Sequence, residues 1–517
     1  MTTTEHNNNI TGMSSKNNSG RVIKNTIFLY ANMIVNICVQ LIAVRLILHG
    51  LGETDYGIYN VIAGIVTLFA FMNSAMSVAT QRFLSFEIGR GGDVREVFYT
   101  SVVLHTLIGM IVVAALEIAG IYYIDNILCV PAERLDTTKI LLHCITASTF
   151  VNIITVPYES DINANEDMGA IAVINSIDSL MKLCTAIIIC HVNSDRLIVF
   201  GVLTMTTLII TLVTKRLYCL YHYKESHFKW HMIRDTRMMG KMASFASWNF
   251  IGAGCSAARY HGTGIILNLF FGIIINASYG IAQQINGLLN FLSVTVVRAI
   301  RPQINKSAGA NNISRTLTLS ETTCKITALM IALFAIPIYV ELPFILSVWL
   351  GDLPDNNCLL FCRGFLVIAF VNQLTSGLRI AVESVGKIRL MQSVLGTMHL
   401  LSLPAGYICL SHGLPAASII GCIIIEEAIG IFARTMITHR YTNISVSHVL
   451  LSNVTPVVMT AAAVLIFCQL TTGWMAEGWV RLFIVCATST ALTCSIAYSL
   501  ILTAEERRHI KAFITRK

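Results

Sequence analysis

From end to end the chain alternates between apolar runs of about twenty residues and short polar breaks. The first two runs set the pattern. Asn25 to Leu48 is apolar and of helix length, and it ends in the turn His49-Gly50-Leu51-Gly52-Glu53-Thr54-Asp55-Tyr56-Gly57. Ile58 to Ala79 follows and closes on Gln81-Arg82. Crossing a hydrocarbon core of roughly 30 Å takes about 20 apolar residues of helix, so the pair reads as a membrane-spanning helical hairpin. Runs of similar length recur at Val97–Ile124, Ile140–Val156, Gly169–Val192, Leu197–Tyr218, Met242–Leu267 and Tyr279–Val297. Others are Thr323–Leu350, Leu359–Ile380, Leu390–Leu410, Ala416–Ile437, Leu450–Leu470 and Val480–Leu502. The pattern predicts an all-α integral membrane protein with about fourteen transmembrane helices.

The breaks divide the chain. Residues 1–20, rich in Asn, Thr and Ser, lack an apolar core and a cleavage signal, and predict a disordered cytoplasmic tail. Helices 1–6 form an N-lobe over 21–221, and a His- and Lys-rich connector covers 222–241. Helices 7–12 form a C-lobe over 242–440, helices 13–14 lie in 441–503, and 504–517 is a basic cytoplasmic tail. Tyr56-Gly57-Ile58 recurs as Tyr279-Gly280-Ile281, an offset of 279 − 56 = 223 residues. Each copy opens a helix that runs into arginine, Arg82 in one half and Arg298 and Arg301 in the other. Six helices separate the copies, so the expected architecture is two parallel, pseudo-symmetric six-helix lobes followed by two further helices.

Composition sharpens this. The chain is 55% hydrophobic and 12% charged, with mean hydropathy +0.69, against about 25% charged residues in a soluble protein. The net charge of +8 is explained by basic loops between apolar runs, which leaves no nucleic-acid role. With the amino terminus inside, inner loops, adjacent helix ends and tails hold 28 of the 36 Lys and Arg residues, as the positive-inside tendency requires. Both termini are therefore expected in the cytoplasm. The exceptions are Arg45, Arg134, Lys139, Lys182, Arg196, Arg259, Arg363 and Arg481; the inner loop Glu159–Asp167 is purely acidic. The fifteen cysteines lie mostly inside apolar runs, without metal-site spacing, and read as small packing residues.

Ionisable and amide side chains inside the runs carry the candidate chemistry, because each charge at mid-membrane costs about 2.5 to 3.5 kcal/mol on insertion scales. Asp178 and Lys182 are four apart on one helix, either a self-neutralising pair or part of a translocation path. Asn25, Asn32, Asn36 and Gln40 form a stripe on the first helix, with Arg45 about 140° away from Gln40. Ser244, Trp248, Gly252 and Ser256, with Arg259 beyond them, form a face that either packs closely or lines water; the arginine favours water. Gln283, Asn286, Asn290 and Ser293 form a similar stripe leading to Arg298 and Arg301. Such stripes predict a hydrophilic, cationic cleft suited to a large polar substrate with an anionic group, since arginine binds phosphate oxygens in a fork. Glu426 and Glu427, with Arg434 nearby, are either ion-coupling groups or a salt bridge. Pro337 and Pro343 bracket Glu341 and predict a kink. The sequence holds no catalytic constellation, no phosphate-cradling glycine loop and no metal or cofactor motif.

The run Arg45-Leu46-Ile47-Leu48-His49-Gly50-Leu51-Gly52-Glu53-Thr54-Asp55-Tyr56-Gly57-Ile58-Tyr59, with Ala79-Thr80-Gln81-Arg82-Phe83-Leu84-Ser85, resembles the amino-terminal signature of bacterial O-antigen and capsule polysaccharide flippases. These share a superfamily with the lipid II flippases and the multidrug and toxin extruders. The resemblance implies a MATE-like fold around a central cavity in the inner (cytoplasmic) membrane. It implies a transporter, not an enzyme, that moves undecaprenyl-diphosphate-linked oligosaccharide to the outer leaflet for O-antigen, lipopolysaccharide or capsule synthesis. Lobes would rock under an ion gradient, among membrane lipids and beside a polysaccharide polymerase and a chain-length regulator. By motif and placement Arg45, Arg82, Arg259 and Arg298 become cavity or gate candidates, with Arg301 and Lys182 as further cations. Asn32, Asn36, Gln40, Ser256, Gln283, Asn286 and Asn290 become polar lining; Asp178, Glu426 and Glu427 become coupling candidates. A cation-coupled drug exporter of the same fold is the first alternative, yet the first helix carries no acid to meet cationic compounds. A membrane polymerase or glycosyltransferase is the second, and no outer loop is large enough for its usual acid and arginine clusters.

Overall fold

The computed structural model describes residues 3–67, 70–128, 130–227, 236–351, 356–503 and 507, and among these there is no strand. The first half comprises α1 (Thr3–Thr67), α2 (Ala70–Arg90), α3 (Val94–Asn126), α4 (Leu135–Ala164), α5 (Met168–His191) and α6 (Arg196–His222). The second comprises α7 (Thr236–Gly309), α8 (Ile313–Val340), α9 (Leu342–Leu350), α10 (Asn356–Gln373), α11 (Ser376–Ser384), α12 (Ile388–Ser411) and α13 (Ser418–Thr442). α14 (Val446–His448) runs through a π turn into α15 (Thr455–Thr472), and α16 (Trp479–Ile496) follows. The expected runs map onto these helices. α7 contains two of them around a bend; α1 contains the first and, beyond its bend, the start of the second, which ends in α2; and α8/α9, α10/α11 and α14/α15 are single runs broken locally. Ten helices among the described residues are long and apolar enough to span a membrane. α13 is excluded from that set by Glu426, Glu427 and Arg434. Exposed Ile111, Ile118, Leu269 and Ile274 belong to the lipid-compatible surface of a multi-pass membrane protein.

The bends are glycine chemistry. Gly52 has φ 76° and ψ 172°, and Gly272 has φ 76° and ψ −165°, a region that residues with a Cβ avoid. A Cβ on Gly272 meets no atom within 4 Å, so its cost is conformational. Gly272→Ala is expected to cost about 1 to 3 kcal/mol, read as a lower thermal unfolding midpoint of the detergent-solubilised protein. An unchanged midpoint would show that the hairpin tolerates another bend.

The backbone also corrects the register of the internal repeat. Positive-φ residues pair as Gly52 with Gly272, Gly91 with Asn311 and Glu166 with Gly386. Each pair is 220 apart: 272 − 52, 311 − 91 and 386 − 166. The turns at the last two pairs share backbone hydrogen bonds. Gly92 N donates to Glu87 O as Asn312 N donates to Ser307 O, and Asp167 N donates to Ile162 O as Lys387 N donates to Val382 O. The repeat is therefore real but 220 residues long. The Tyr-Gly-Ile match at 223 is three residues out of register, and the partner of Tyr279 is Tyr59.

Chain contacts divide the protein into two compact units, Lys24–Phe250 and Ile251–Lys517, the latter with Met1–Ile23. The division falls inside α7, later than the connector expected at 222–241, of which 228–235 lie outside the described residues. Helical backbone begins at Thr3, within the segment expected to be disordered. Of the basic tail only Arg507 is described, and its guanidinium caps the last turn through Leu502 O at 2.9 Å and Ser499 O at 2.8 Å. Within the first unit, Leu51, Ile58, Ile62, Leu141, Ile189 and Phe200 form a core. In the second, Leu267, Tyr279, Phe361, Phe365 and Ile419 do so.

The acidic loop Glu159–Asp167 is locally satisfied. Lys215 pairs with Glu159 at 2.9 Å, and Ser226 donates to Asp161 at 2.9 Å. Asp167 caps α5 and accepts from the Tyr218 hydroxyl. These acids need no basic neighbour in sequence because α6 and the turn after it supply donors in space.

Candidate functional site

Among the described residues, a dense cluster of buried charge lies within the second unit and is built on α13. Its apolar repeat packs the helix against α10 and α12, and carries Glu426, Glu427 and Arg434 inward together. α7 contributes Arg259, α12 His399 and α10 Asn372. Glu427 is wholly buried. Its carboxylate accepts from Arg259 Nη1 at 3.0 Å, Arg434 Nη2 at 2.7 Å and Asn372 Nδ2 at 3.1 Å. Glu426 pairs with the same Arg259 nitrogen and lies 2.8 Å from His399 Nδ1. Arg434 also donates to Thr375 Oγ1 at 3.2 Å. Two carboxylates face two guanidiniums, so with His399 neutral the cluster has no net charge. Such a pairing is what makes buried ions tolerable.

His399, Glu426 and Glu427 each offer a ligand atom, all within 4.8 Å of one another. As a metal site the set fits poorly. Both carboxylates are already neutralised by guanidiniums, and a divalent ion would add uncompensated charge beside Arg259.

The other sequence candidates take different places. Arg259 is ion-paired where open water was expected, and the face below it packs: a Cβ on Gly252 would lie 1.9 Å from Gln392 Oε1. Ser256 is half-buried. In the first unit, Asn32 donates to Ala172 O at 3.0 Å and Ser176 Oγ at 2.9 Å. Asn36 donates to Asn32 Oδ1 at 3.0 Å and accepts from Ser179. Those amides stitch α1 to α5, with Asn32 buried, Asn36 half-buried and Gln40, further along the stripe, exposed. Asp178 holds Lys182 at 2.7 Å and accepts from Thr211 at 2.8 Å, so this pair ties α5 to α6. Arg82 is buried, its guanidinium 4.6, 4.5 and 5.7 Å from the ring centres of Phe83, Phe86 and Phe245. Arg301 is buried against Glu383 at 3.1 Å, and Arg298 is exposed. Asn290 donates to Asn286 at 3.1 Å, and Gln283 reaches Tyr260 O at 3.5 Å.

Most of the cations that broke the charge rule share an explanation. Arg134 bridges Asp55 at 2.7 Å and Asp195 at 2.5 Å, and Lys139 meets Asp125 at 2.7 Å. Arg196 donates to Gly50 O at 2.9 Å, and Arg363 lies 5.3 Å from the ring centre of Tyr339. Lys182, Arg259 and Arg481 have the carboxylates Asp178, Glu426/Glu427 and Glu341. Arg45 is exposed, with no bond to a described residue. A neutralised cation exerts little topological pull, so the five paired with carboxylates carry little orienting weight, which does not extend to Arg45, Arg196 and Arg363. In the first hairpin turn, burial raises the Asp55 carboxyl above its usual value, Arg134 opposes that shift, and Asp195 adds to it.

Sequence reasoning missed His399, Asn372 and Thr375. His399 lies on the largely apolar α12, Asn372 in the last turn of α10 and Thr375 in the turn before α11, and only the packing of these elements on α13 brings them together.

No protein-family model matches the chain, and no curated protein matches it in sequence. Solved structures do match its shape: the fold is that of the MATE transporters of the MOP superfamily. A MATE in the bent conformation aligns with TM-score 0.72 at 11% identity, over 84% of this chain and 97% of that one. A multidrug-resistance MATE in an outward-facing conformation aligns with TM-score 0.67 at 12% identity, over 82% and 96%. A MOP-superfamily transporter from Pyrococcus furiosus, whose reversed binding-pocket polarity suggests a different function, aligns with TM-score 0.69 at 11% identity, over 83% and 96%.

Proposed function

We propose that the protein is a flippase that carries undecaprenyl-diphosphate-linked oligosaccharide from the inner to the outer leaflet of the cytoplasmic membrane, by alternating access of its two halves. The observation that carries this reading is Arg259. It is a guanidinium on the first helix of the second unit, held among carboxylates that neutralise it. A pyrophosphate offers the same fork of oxygens as the glutamate pair. Exchange of one partner for the other would let an anionic headgroup be held and released without leaving a bare charge in the bilayer. Glu426, shared between Arg259 and His399, is the group we assign to ion coupling: neutralising it leaves Arg259 on Glu427 alone, with part of its fork open to the substrate. The charged or titratable groups around it are Arg259, His399, Glu427 and Arg434, while Arg379 and Glu383 on α11 pair with each other and Arg301. The signature run around Gly52, both termini in the cytoplasm and a place beside a polymerase and chain-length regulator fit the same reading.

A cation-coupled drug exporter of this fold is the second reading, favoured by the buried acid pair. The cluster's balanced charge weakens it, because no net negative potential remains to attract a cationic compound.

The test is transport in vesicles. Wild-type protein is expected to expose lipid-linked oligosaccharide to an external lectin. Arg259→Gln should lower the rate about tenfold or more, since charge-assisted bonds contribute about 1.5 to 3 kcal/mol each, with membrane insertion intact. Efflux of cationic dyes without lipid flipping would favour the exporter. Flipping at the wild-type rate in Arg259→Gln would remove Arg259 from the substrate path.

A further inference from the structure

The second unit has a cleft of about 480 Å³ in the fork of the bent α7, lined by Tyr260, His261, Ile265, Asn268, Asn276, Tyr279 and Gln283 and by the bare backbone of Gly264 and Gly280. Its size lies within the range of small-ligand pockets, about 300 to 1,000 Å³.

The lining selects a ligand class by elimination. None of its side chains is acidic and none is a lysine or arginine, so neither an organic cation nor an anion finds a counter-charge. A wholly apolar ligand would strip water from three amides without replacing their bonds, at a cost. What remains is a neutral molecule with apolar faces and many hydroxyls. Tyr260 and Tyr279 supply the aromatic surface, their ring centres 6.5 Å apart. Asn268, Asn276 and Gln283 each offer donor and acceptor together, as hydroxyl groups require.

The walls are prepared. Tyr279 is buried, packs on Phe361 and Phe365 at 6.2 and 5.6 Å between ring centres, and donates its hydroxyl to Tyr260 O at 3.0 Å. Asn268 and Asn276 donate to no described residue and stand ready for a ligand. A Cβ on Gly264 would lie 3.2 Å from Asn276 Oδ1 and 3.6 Å from the Tyr279 ring, whereas one on Gly280 would meet nothing within 4 Å. Gly264 thus permits close approach of the two arms, and Gly280 keeps the volume open.

We infer that this fork is a carbohydrate subsite that takes one or more neutral or N-acetylated sugar residues. The inference rests on the flippase reading for its biological role. The cleft begins one residue beyond Arg259, so a single substrate would present its sugar here and its pyrophosphate to the arginine.

Free sugars test it without transport. The full-length protein in lipid nanodiscs is probed by saturation-transfer NMR with neutral and N-acetylated di- and trisaccharides, and separately with sugar-free undecaprenyl diphosphate. At least one sugar is expected to bind saturably. Gly280→Leu, which fills the open volume, should weaken that binding at least tenfold and leave undecaprenyl diphosphate binding unchanged; Gly280→Ala should retain both. The thermal midpoint of each variant checks folding. No sugar bound by the wild type, sugar binding untouched by Gly280→Leu, or loss of undecaprenyl diphosphate binding in a folded Gly280→Leu would each overturn the inference. The probes need no transport, so a negative lectin assay would leave a positive sugar result standing, and the reverse.

Discussion

Glu427→Ala is expected to be among the most damaging single substitutions in the second unit, costing about 3 to 5 kcal/mol. The carboxylate is fully buried and takes three donors from three helices: Arg259 on α7, Arg434 on α13 and Asn372 on α10. Without it Arg434 is left buried with only a threonine hydroxyl, and an uncompensated buried charge dominates the cost. Glu426→Gln should cost much less, because Arg259 keeps Glu427 and the amide can still meet His399. Thermal unfolding in nanodiscs reads the order. Equal losses for the two variants would mean that Glu427 is not the hub. The double variant Glu427→Leu with Arg434→Met should recover most of the loss, since replacing both members of a buried pair with apolar side chains removes the unpaired charge. Recovery of stability without recovery of flipping would separate the cluster's structural role from its transport role.

Period and length are properties of one helix at a time, and they made the helical fold readable before any coordinates. Twenty-residue apolar runs bounded by Gly and polar turns mapped onto α3, α5, α6 and α12 with shifts of a few residues. The repeat was visible too, but its register was not. Tyr56-Gly57-Ile58 is a three-residue coincidence, whereas the 220-residue period is written in backbone torsions at Gly52, Gly91 and Glu166 and in their counterparts. A positive φ needs glycine in some copies and is met by Asn311 or Glu166 in others, so residue identity alone hides it. The site was legible in half. Arg259, Glu426 and Glu427 stood out because a charge in an apolar run needs a partner. Which partner it finds depends on how α7, α10 and α12 pack on α13, and one sequence does not encode that in any spacing. The same limit explains Asn32 and Asn36. A polar stripe facing a neighbouring helix and one facing water have the same 100° periodicity, and only the acceptors on Ala172 and Ser176 distinguish them.

Arg481→Ala should approach the cost of Glu427→Ala, about 3 kcal/mol or more, although it lies far along the chain from every transport candidate. Glu341 sits between Pro337 and Pro343, where α8 stops at Val340 and α9 restarts at Leu342. The break turns its carboxylate to α16. There Arg481 grips both oxygens, Nε at 2.9 and 3.1 Å and Nη2 at 2.9 Å, with Glu341 fully buried. The two-pronged grip needs a planar guanidinium, so Arg481→Lys should lose most of it despite keeping the charge. Arg481→Met combined with Glu341→Leu should restore most of the stability. Topology should not change in any of these variants, because a cation already neutralised by Glu341 exerts little orienting pull. Thermal unfolding and labelling of single cysteines on either side of α16 would test both statements. A reversed α16 in Arg481→Ala would show that this arginine orients the helix through its charge and not through its partner.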